Sequence, residues 1–395
     1  MHLVHQTLTV SAWLLALAWL AKLVEAARGF ATIPNLLMPE HDSAPAHGPS
    51  VTVIVPARNE AANVGACLES LLAQDYRELR ILAVDDRSTD ETRAVIEVLA
   101  RAHADRLEVA DISELPPNWL GKTHAMAVAA RSAIAAHQPD YLLFTDADIV
   151  FRPDAIRRSL ANAVATQADH FVVLPTTIAR TRGEAMILAF LQVMSLWAIR
   201  PWRVADPRAM RDAIGVGAFN LIRTPAYEML GGFEVAPMEI LEDLALGRRV
   251  KRAGLRQRVA TAPGMVSVHW APGMMGIVAG MTKNLFAVFR FRPALLLAAD
   301  AWMVLFCVAP VGFLAYSDTC LQELIALASV FGLYALSGRT SRIPPIYAAS
   351  FPVGAVVVAY SMLRSMAITI RDGGVTWRGT FYPLNELRAH ALRDL

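Results

Sequence analysis

FTDADI at 144–149 ends an apolar run in two aspartates, Asp146 and Asp148, with one small residue between them. On a strand both would share one face, and carboxylates so close repel unless a cation joins them. Hard oxygen ligands suit Mg2+ or Mn2+, which bind through one or two carboxylates plus substrate phosphates. A solvated, Asp-rich turn is the competing reading. VDDRSTDET at 84–92 sets Asp85 and Asp86 at another strand's carboxyl end, with Ser88 placed as a helix cap. Either this is only a capping turn, or a carboxylate here accepts hydrogen bonds from a nucleobase N–H or a ribose hydroxyl.

MEILEDLALGRRVKRAG at 238–254 puts Glu242 and Asp243 at the start of an amphipathic helix that ends in Arg248, Arg249, Lys251 and Arg252. Acids in a first turn and bases in a last turn also simply satisfy the helix macrodipole. GKTHAM at 121–126 looks like a phosphate loop, but a Walker motif needs glycine at 116, where Pro116 stands. An ATPase is excluded; Lys122 remains either a diphosphate contact or a surface helix lysine. GVGAF at 215–219, followed by Asn220, is a small-residue loop where backbone can approach a ligand, or a tight turn. His269 in SVHW is a weaker candidate, since such residues more often pack at strand ends.

The elements that must carry these residues have a βαβ rhythm between about Val51 and Trp270. Apolar runs at 51–56, 79–84, 107–110, 141–145 and 171–175 read as strands covered on both faces, with helical patterns between them. In such open sheets ligands bind at the carboxyl ends of strands, and those ends are where this sequence places its acids.

Of 395 residues, 55% are hydrophobic, above what a soluble enzyme carries, so part of the chain is expected in lipid. A formal charge of +2 without a basic run among aromatics argues against nucleic acid as a partner. Three cysteines, Cys67, Cys307 and Cys320, give neither a disulfide framework nor a Cys-rich zinc site; Cys67 is expected to pack. The stretch Leu8 to Val24 reads as an uncleaved anchor, because no Lys or Arg precedes it and no clear cleavage site follows. Pro272 to Phe291 reads as an interfacial amphipathic helix. Leu295 to Tyr316, Leu321 to Leu336 and Ile346 to Ile370 approach the roughly 20 residues that cross a bilayer. Asp300 and Glu323 in these runs must face protein or the interface. Lys22, Arg28, Arg290 and Arg292 put the globular region in the cytosol. Three C-terminal crossings would strand Arg371, Arg378, Arg388 and Arg393 outside, so one segment is expected to be re-entrant or interfacial, and the prolines 344, 345 and 352 point to Ile346–Ile370.

Taken in order, VTVIVPARNE, VDDRSTDET, WLGKTHAM, FTDADI, GVGAFN and LEDLALGRRVKRAG resemble the family-2 glycosyltransferases over about residues 50–270. VTWRGTFY at 375–382 and the apolar runs are similar to the membrane-bound branch, of hopanoid-associated, carotenoid or ceramide type. The resemblance implies a Rossmann-like GT-A domain at 50–270, flanked by an anchor at 1–30, a linker at 31–49, an interfacial segment at 271–292, a transmembrane region at 293–370 and a tail at 371–395. It implies that Asp85 and Asp86 bind the nucleoside and that Pro56 and Glu60 line the base pocket. Asp146 then contacts donor and metal, Asp148 the metal, Mg2+ or Mn2+, and Lys122 the diphosphate. The catalytic base falls on Asp243, with Glu242 orienting the loop or the acceptor. The Q/R-x-x-R-W motif of processive members is absent, TKNLF at 282–286 standing in its place. The expected reaction is therefore a single inverting transfer, from a nucleotide-sugar of the UDP type to a lipid acceptor at the inner (cytoplasmic) membrane. A subunit of a polysaccharide synthase is the alternative. A nucleotidyltransferase is the other, though it needs a Gly-rich triphosphate loop that PARNEAAN does not supply.

Overall fold

The computed structural model describes residues 2–45, 48–313, 316 and 319–391. Chain order is not grouping in space. One compact unit, the sheet unit, gathers Ile33–Ile178, Pro201–Trp270 and Gly374–Leu395; a helical unit gathers Met1–Thr32, Ala179–Arg200 and Ala271–Gly373.

Twelve strands occur among the described residues: β1 Val51–Ala57, β2 Leu79–Asp86, β3 Leu107–Ile112, β4 Tyr141–Phe144, β5 Ile149–Phe151, β6 His170–Leu174, β7 Thr176–Thr177, β8 Asn220–Arg223, β9 Gln257–Thr261, β10 Val266–Val268, β11 Gly374–Trp377 and β12 Thr380–Pro383. Seven form the main sheet in the order β3-β2-β1-β4-β8-β6-β9, a small sheet runs β5-β10-β7, and β11 and β12 make a hairpin. β1 is parallel to β2 and β4 and buried throughout, and its period of two feeds two layers. Val53 and Val55 join Leu68, Leu71 and Ile96 on one side, while Ile54 joins Val84, Met126 and Phe144 on the other. Pro56 is tolerated in this strand because pairing with β4 stops at Ile54, so no partner needs its missing N–H.

All five expected strands exist, with two differences. β3 is an edge strand buried only at its two ends, Leu107 and Ile112, and not covered on both faces as its apolar run suggested. β8, not anticipated, inserts antiparallel between β4 and β6. At four residues after a glycine loop, NLIR is too short to announce itself by pattern. Beneath it His170 Nδ1 accepts from Gln257 Nε2 at 2.9 Å, and its Nε2 bonds Asn220 Oδ1. Burial pushes His170 down to about 4, so this neutral imidazole ties β6, β8 and β9 together, and the Asn220 side chain is part of that core.

Among the described residues, five segments are long and apolar enough to cross a membrane: His5–Phe30, Arg182–Arg203, Pro293–Gly312, Cys320–Ser341 and Pro345–Arg371. The second lies in a stretch that reads as globular in sequence; its helix, Arg182–Ala198, starts in a capping box of Thr181 and Glu184. Trp19 is wholly buried, its ring centroid 5.3 Å from that of Trp197 and 4.8 Å from that of Phe306. Lys22 is no loop charge: it is buried, 2.7 Å from Glu25 and over the Trp197 ring. Asp300 and Glu323 face protein, both buried. The expected interfacial helix is two short ones, Gly273–Met281 and Leu285–Val288. Ser365 sits at the break, donating to Thr282 O at 2.5 Å and accepting from Phe286 N at 3.0 Å. Pro345 opens a 3-10 turn, Pro345–Ser350, and Pro352 stands in the first turn of an unbroken helix, Phe351–Arg371, where no N–H is needed.

Candidate active site

The site assembles at the carboxyl ends of β1, β2 and β4, where the sheet unit's loops meet. The loop after β1 turns at Asn59, whose φ of 53° is in the left-handed region that asparagine tolerates. It is fastened to the loop after β2. Asn59 N–H donates to Ser88 Oγ at 3.0 Å, Thr89 N–H to Asn59 Oδ1 at 2.8 Å, and Glu60 N–H to Thr92 Oγ1 at 2.7 Å. Ser88 is therefore a loop tie and not the expected cap; the next helix begins at Thr92 after Glu91.

Asp85 and Asp86 are the last residues of β2 and both are buried. Asp86 takes a fork from Arg87, Nε to Oδ1 at 2.8 Å and Nη2 to Oδ2 at 3.2 Å, and Arg58 Nη1 lies 3.9 Å from its Oδ2. Asp85 Oδ1 and Arg58 Nε are buried without a hydrogen-bond partner. Leaving such groups unpaired costs about 1–3 kcal/mol each, which favours a polar ligand here over a plain capping turn. Sequence reading missed Arg58 and Arg87, although they stand inside the motifs VTVIVPARNE and VDDRSTDET.

Asp146 and Asp148 lie past the end of β4, on the turn into β5, so they do not share a strand face as the spacing suggested. The turn is held by its neighbours. Asp146 N–H donates to Gly217 O at 3.1 Å, and Thr145 Oγ1 to Ala218 O at 2.8 Å. Burial, then Asp146 and Glu60, push Asp148 up to about 7. Carboxylates crowded enough to hold a proton near neutrality are a fitting donor set for a hard divalent cation. No group of three or more His, Cys, Asp or Glu side chains gathers into a metal cage among the described residues. The chain thus offers two carboxylates, as is usual where substrate phosphates complete the shell. Cys67 packs beneath, buried, its Sγ 3.6 Å from Asp146 O. His269 follows β10, whose Val268 pairs with Ile149, one residue from Asp148.

Lys122, in the first turn of the helix Gly121–His137, joins the two halves of the site. Its ammonium lies 2.5 Å from Asp146 Oδ1 and 2.6 Å from Glu242 Oε1. Burial lowers its proton affinity, but Asp146, Glu242 and Asp243 outweigh that and raise it well above the ordinary lysine value. The preceding Gly121 leaves room for Asp86: a Cβ there would stand 2.4 Å from Asp86 Oδ2 and 2.8 Å from Arg87 Nη2, so a side chain would push that ion pair aside.

Glu242 and Asp243 open the helix Glu242–Arg252. Asp243 Oδ2 accepts from Gly217 N at 2.7 Å and Oδ1 from Leu244 N at 2.7 Å. Burial and then Glu242 push it up to about 7. The GVGAF loop is a close approach to this helix: a Cβ on Gly215 would lie 1.7 Å from Asp243 O. The helix's bases serve the frame, Arg249 donating to Gly232 O at 2.8 Å and Lys251 to Val204 O at 2.7 Å.

Residues 52–206 match the family model described as Glycosyl transferase family 2. The chain is 25% identical over 350 residues to the 4,4'-diaponeurosporenoate glycosyltransferase of Staphylococcus aureus (strain USA300), covering 85% of this chain and 89% of that one. In fold it is similar to the solved mannosyltransferase PcManGT from Pyrobaculum calidifontis, in complex with GDP-Man and Mn2+, with a TM-score of 0.53 at 20% identity over 92% of this chain and 98% of that one. The motif order, a mixed sheet with its acids at the strand ends, and these likenesses lead to one conclusion: residues 52–206 carry a glycosyl transferase family 2 domain, and the enzyme is a GT-A-fold glycosyltransferase that uses a nucleotide-sugar donor.

Proposed function

We propose that this enzyme transfers one sugar, with inversion, from a UDP-sugar to a hydroxyl of a membrane lipid. The observation that carries the reading is the Asp243 carboxylate, fixed by Gly217 and Leu244 N–H groups beside the Lys122 bridge between Asp146 and Glu242. Asp243 accepts the acceptor's hydroxyl proton, the acceptor oxygen bonds the anomeric carbon, and the bond from that carbon to the diphosphate breaks. A base with a proton affinity near neutrality is suited to this step. Lys122 offsets charge on the departing diphosphate, and Glu242 positions Lys122. Asp85, Asp86, Pro56 and Glu60 hold the nucleoside. Asp146 and Asp148 would hold Mg2+ or Mn2+, which would neutralise diphosphate charge.

A lipid acceptor is supported by the membrane-length helices and by a relative named for 4,4'-diaponeurosporenoate over most of both chains. A GDP-sugar is the competing donor, because the likeness in fold is to a GDP-Man complex. We place the sheet unit on the cytosolic side of the inner membrane. It takes chain from both sides of Arg182–Ala198 and from both sides of 271–373. One hydrated body cannot occupy both sides of a bilayer. Arg182–Ala198 therefore enters and leaves on the sheet unit's side, and an even number of the three later helices cross. Arg180 and Arg182 before the first of these, and Arg200 and Arg203 after it, agree with both of its ends being cytosolic. Incubating membranes with labelled nucleotide-sugars and extracting lipid tests the reading: label in the lipid phase supports it, and label confined to water-soluble polymer or free sugar counts against it.

A further inference from the structure

The hairpin of β11 and β12 follows the last apolar helix, yet it belongs to the sheet unit. It reaches two of the segments that frame the donor site. Arg378 forms its turn, with a φ of 48°; its guanidinium pairs with the Glu60 carboxylate and donates to Arg58 O. From β12, Thr380 Oγ1 accepts from Arg58 Nη1 at 3.2 Å, and the Tyr382 hydroxyl accepts from Gly121 N at 3.2 Å, the residue before Lys122. Ten residues distant in sequence from every motif of the site thus bridge the loop after β1 and the start of the Gly121–His137 helix.

These contacts concentrate cations. Arg58, Arg87 and Arg378 all converge on the mouth of β1 and β2, and burial together with Arg87 pulls the Arg58 guanidinium below its ordinary value. Arg378 is more than a third exposed, so it fills no core position, and the Arg58 Nε beside it lacks a partner. A guanidinium that is partly exposed and held by one carboxylate can exchange that partner for phosphate oxygens, which its planar fork matches equally well.

We propose that Arg378 is a donor-binding residue, which exchanges Glu60 for the phosphates of the nucleoside diphosphate, and that the hairpin Gly374–Pro383 forms a wall of the donor site. This rests on the nucleotide-sugar reading of that site. The test titrates the detergent-solubilised full chain with UDP, GDP, ADP and TDP in the presence of Mn2+, and records the thermal midpoint without nucleotide. For whichever nucleotide binds, Arg378→Ala is expected to weaken affinity about tenfold or more, the size of one lost charge-assisted contact, at an unchanged midpoint. Arg378→Lys, keeping the charge, is expected to lose less. Wild-type affinity in Arg378→Ala, equal losses in the two variants, or loss that tracks a lowered midpoint overturns the hairpin's role alone. Failure of the wild-type chain to bind any of the four overturns that role and the nucleotide-sugar reading together.

Discussion

Gly217 donates its backbone N–H to Asp243 Oδ2 at 2.7 Å while its Cα faces Asp146, so one residue without a side chain sets the spacing between the two acids. A Cβ on Gly217 would stand 2.6 Å from Asp146 Oδ2 and 3.4 Å from Lys122 Nζ, both ends of side chains that can shift. Gly217→Ala is expected to fold and to lose most of its transfer activity. A Cβ on Gly215 instead meets the Asp243 carbonyl at 1.7 Å, and backbone cannot yield. Gly215→Ala should lower stability by about 1–3 kcal/mol or more. Thermal midpoint and sugar transfer measured on both variants check the contrast.

The pH profile should carry the Asp243 proton. Its folded value is raised from 3.8 to about 7 by burial and by Glu242, and the base must be unprotonated to act. Turnover at saturating donor is therefore expected to rise with pH through about 7 and to fall roughly tenfold per unit well below it. A rate flat from pH 5.5 to 8.5 would remove Asp243 from the proton transfer.

Removal of divalent metal by a chelator should abolish transfer, and Mn2+ or Mg2+ should restore it. Asp148→Asn takes away one anionic ligand and should weaken nucleotide binding in the presence of Mn2+ while leaving metal-free binding little changed. Calorimetry on the same preparations decides; unchanged Mn2+-dependent affinity speaks against the assignment.

For topology, single cysteines at His5, Arg180 and Arg208 in a background lacking the native three give a direct readout. Residues 180 and 208 flank the Arg182–Ala198 helix, and both should be labelled by an impermeant reagent only after the membrane is opened. Residue 5 should be labelled from outside. Labelling of 180 and 208 from opposite sides would show that this helix crosses after all.

Much of this was readable because the physics is local. Val51–Ala57 and Leu79–Asp86 are continuous apolar runs ending in polar turns, and the acids follow from that position alone. What stayed hidden depends on partners far away in sequence. Arg182–Ala198 belongs to a segment with the hydropathy of a span but sits between strands, inside the stretch that reads as globular. The role of Ser88 depends on Asn59, and that of Gly121 on Asp86. Arg378 meets Glu60 across 318 residues, a pairing that no pattern in VTWRGTFY announces.

The most direct test compares wild type with Asp243→Asn, nearly isosteric but unable to take the proton, as purified full-length enzymes given labelled nucleotide-sugar and extracted membrane lipid. Nucleotide affinity and thermal midpoint should stay close to wild type, while transfer of label into lipid falls by about 10²- to 10⁴-fold, the range of a lost general base. Near-normal transfer by Asp243→Asn, or a loss no larger than its loss of folded protein, would contradict the account.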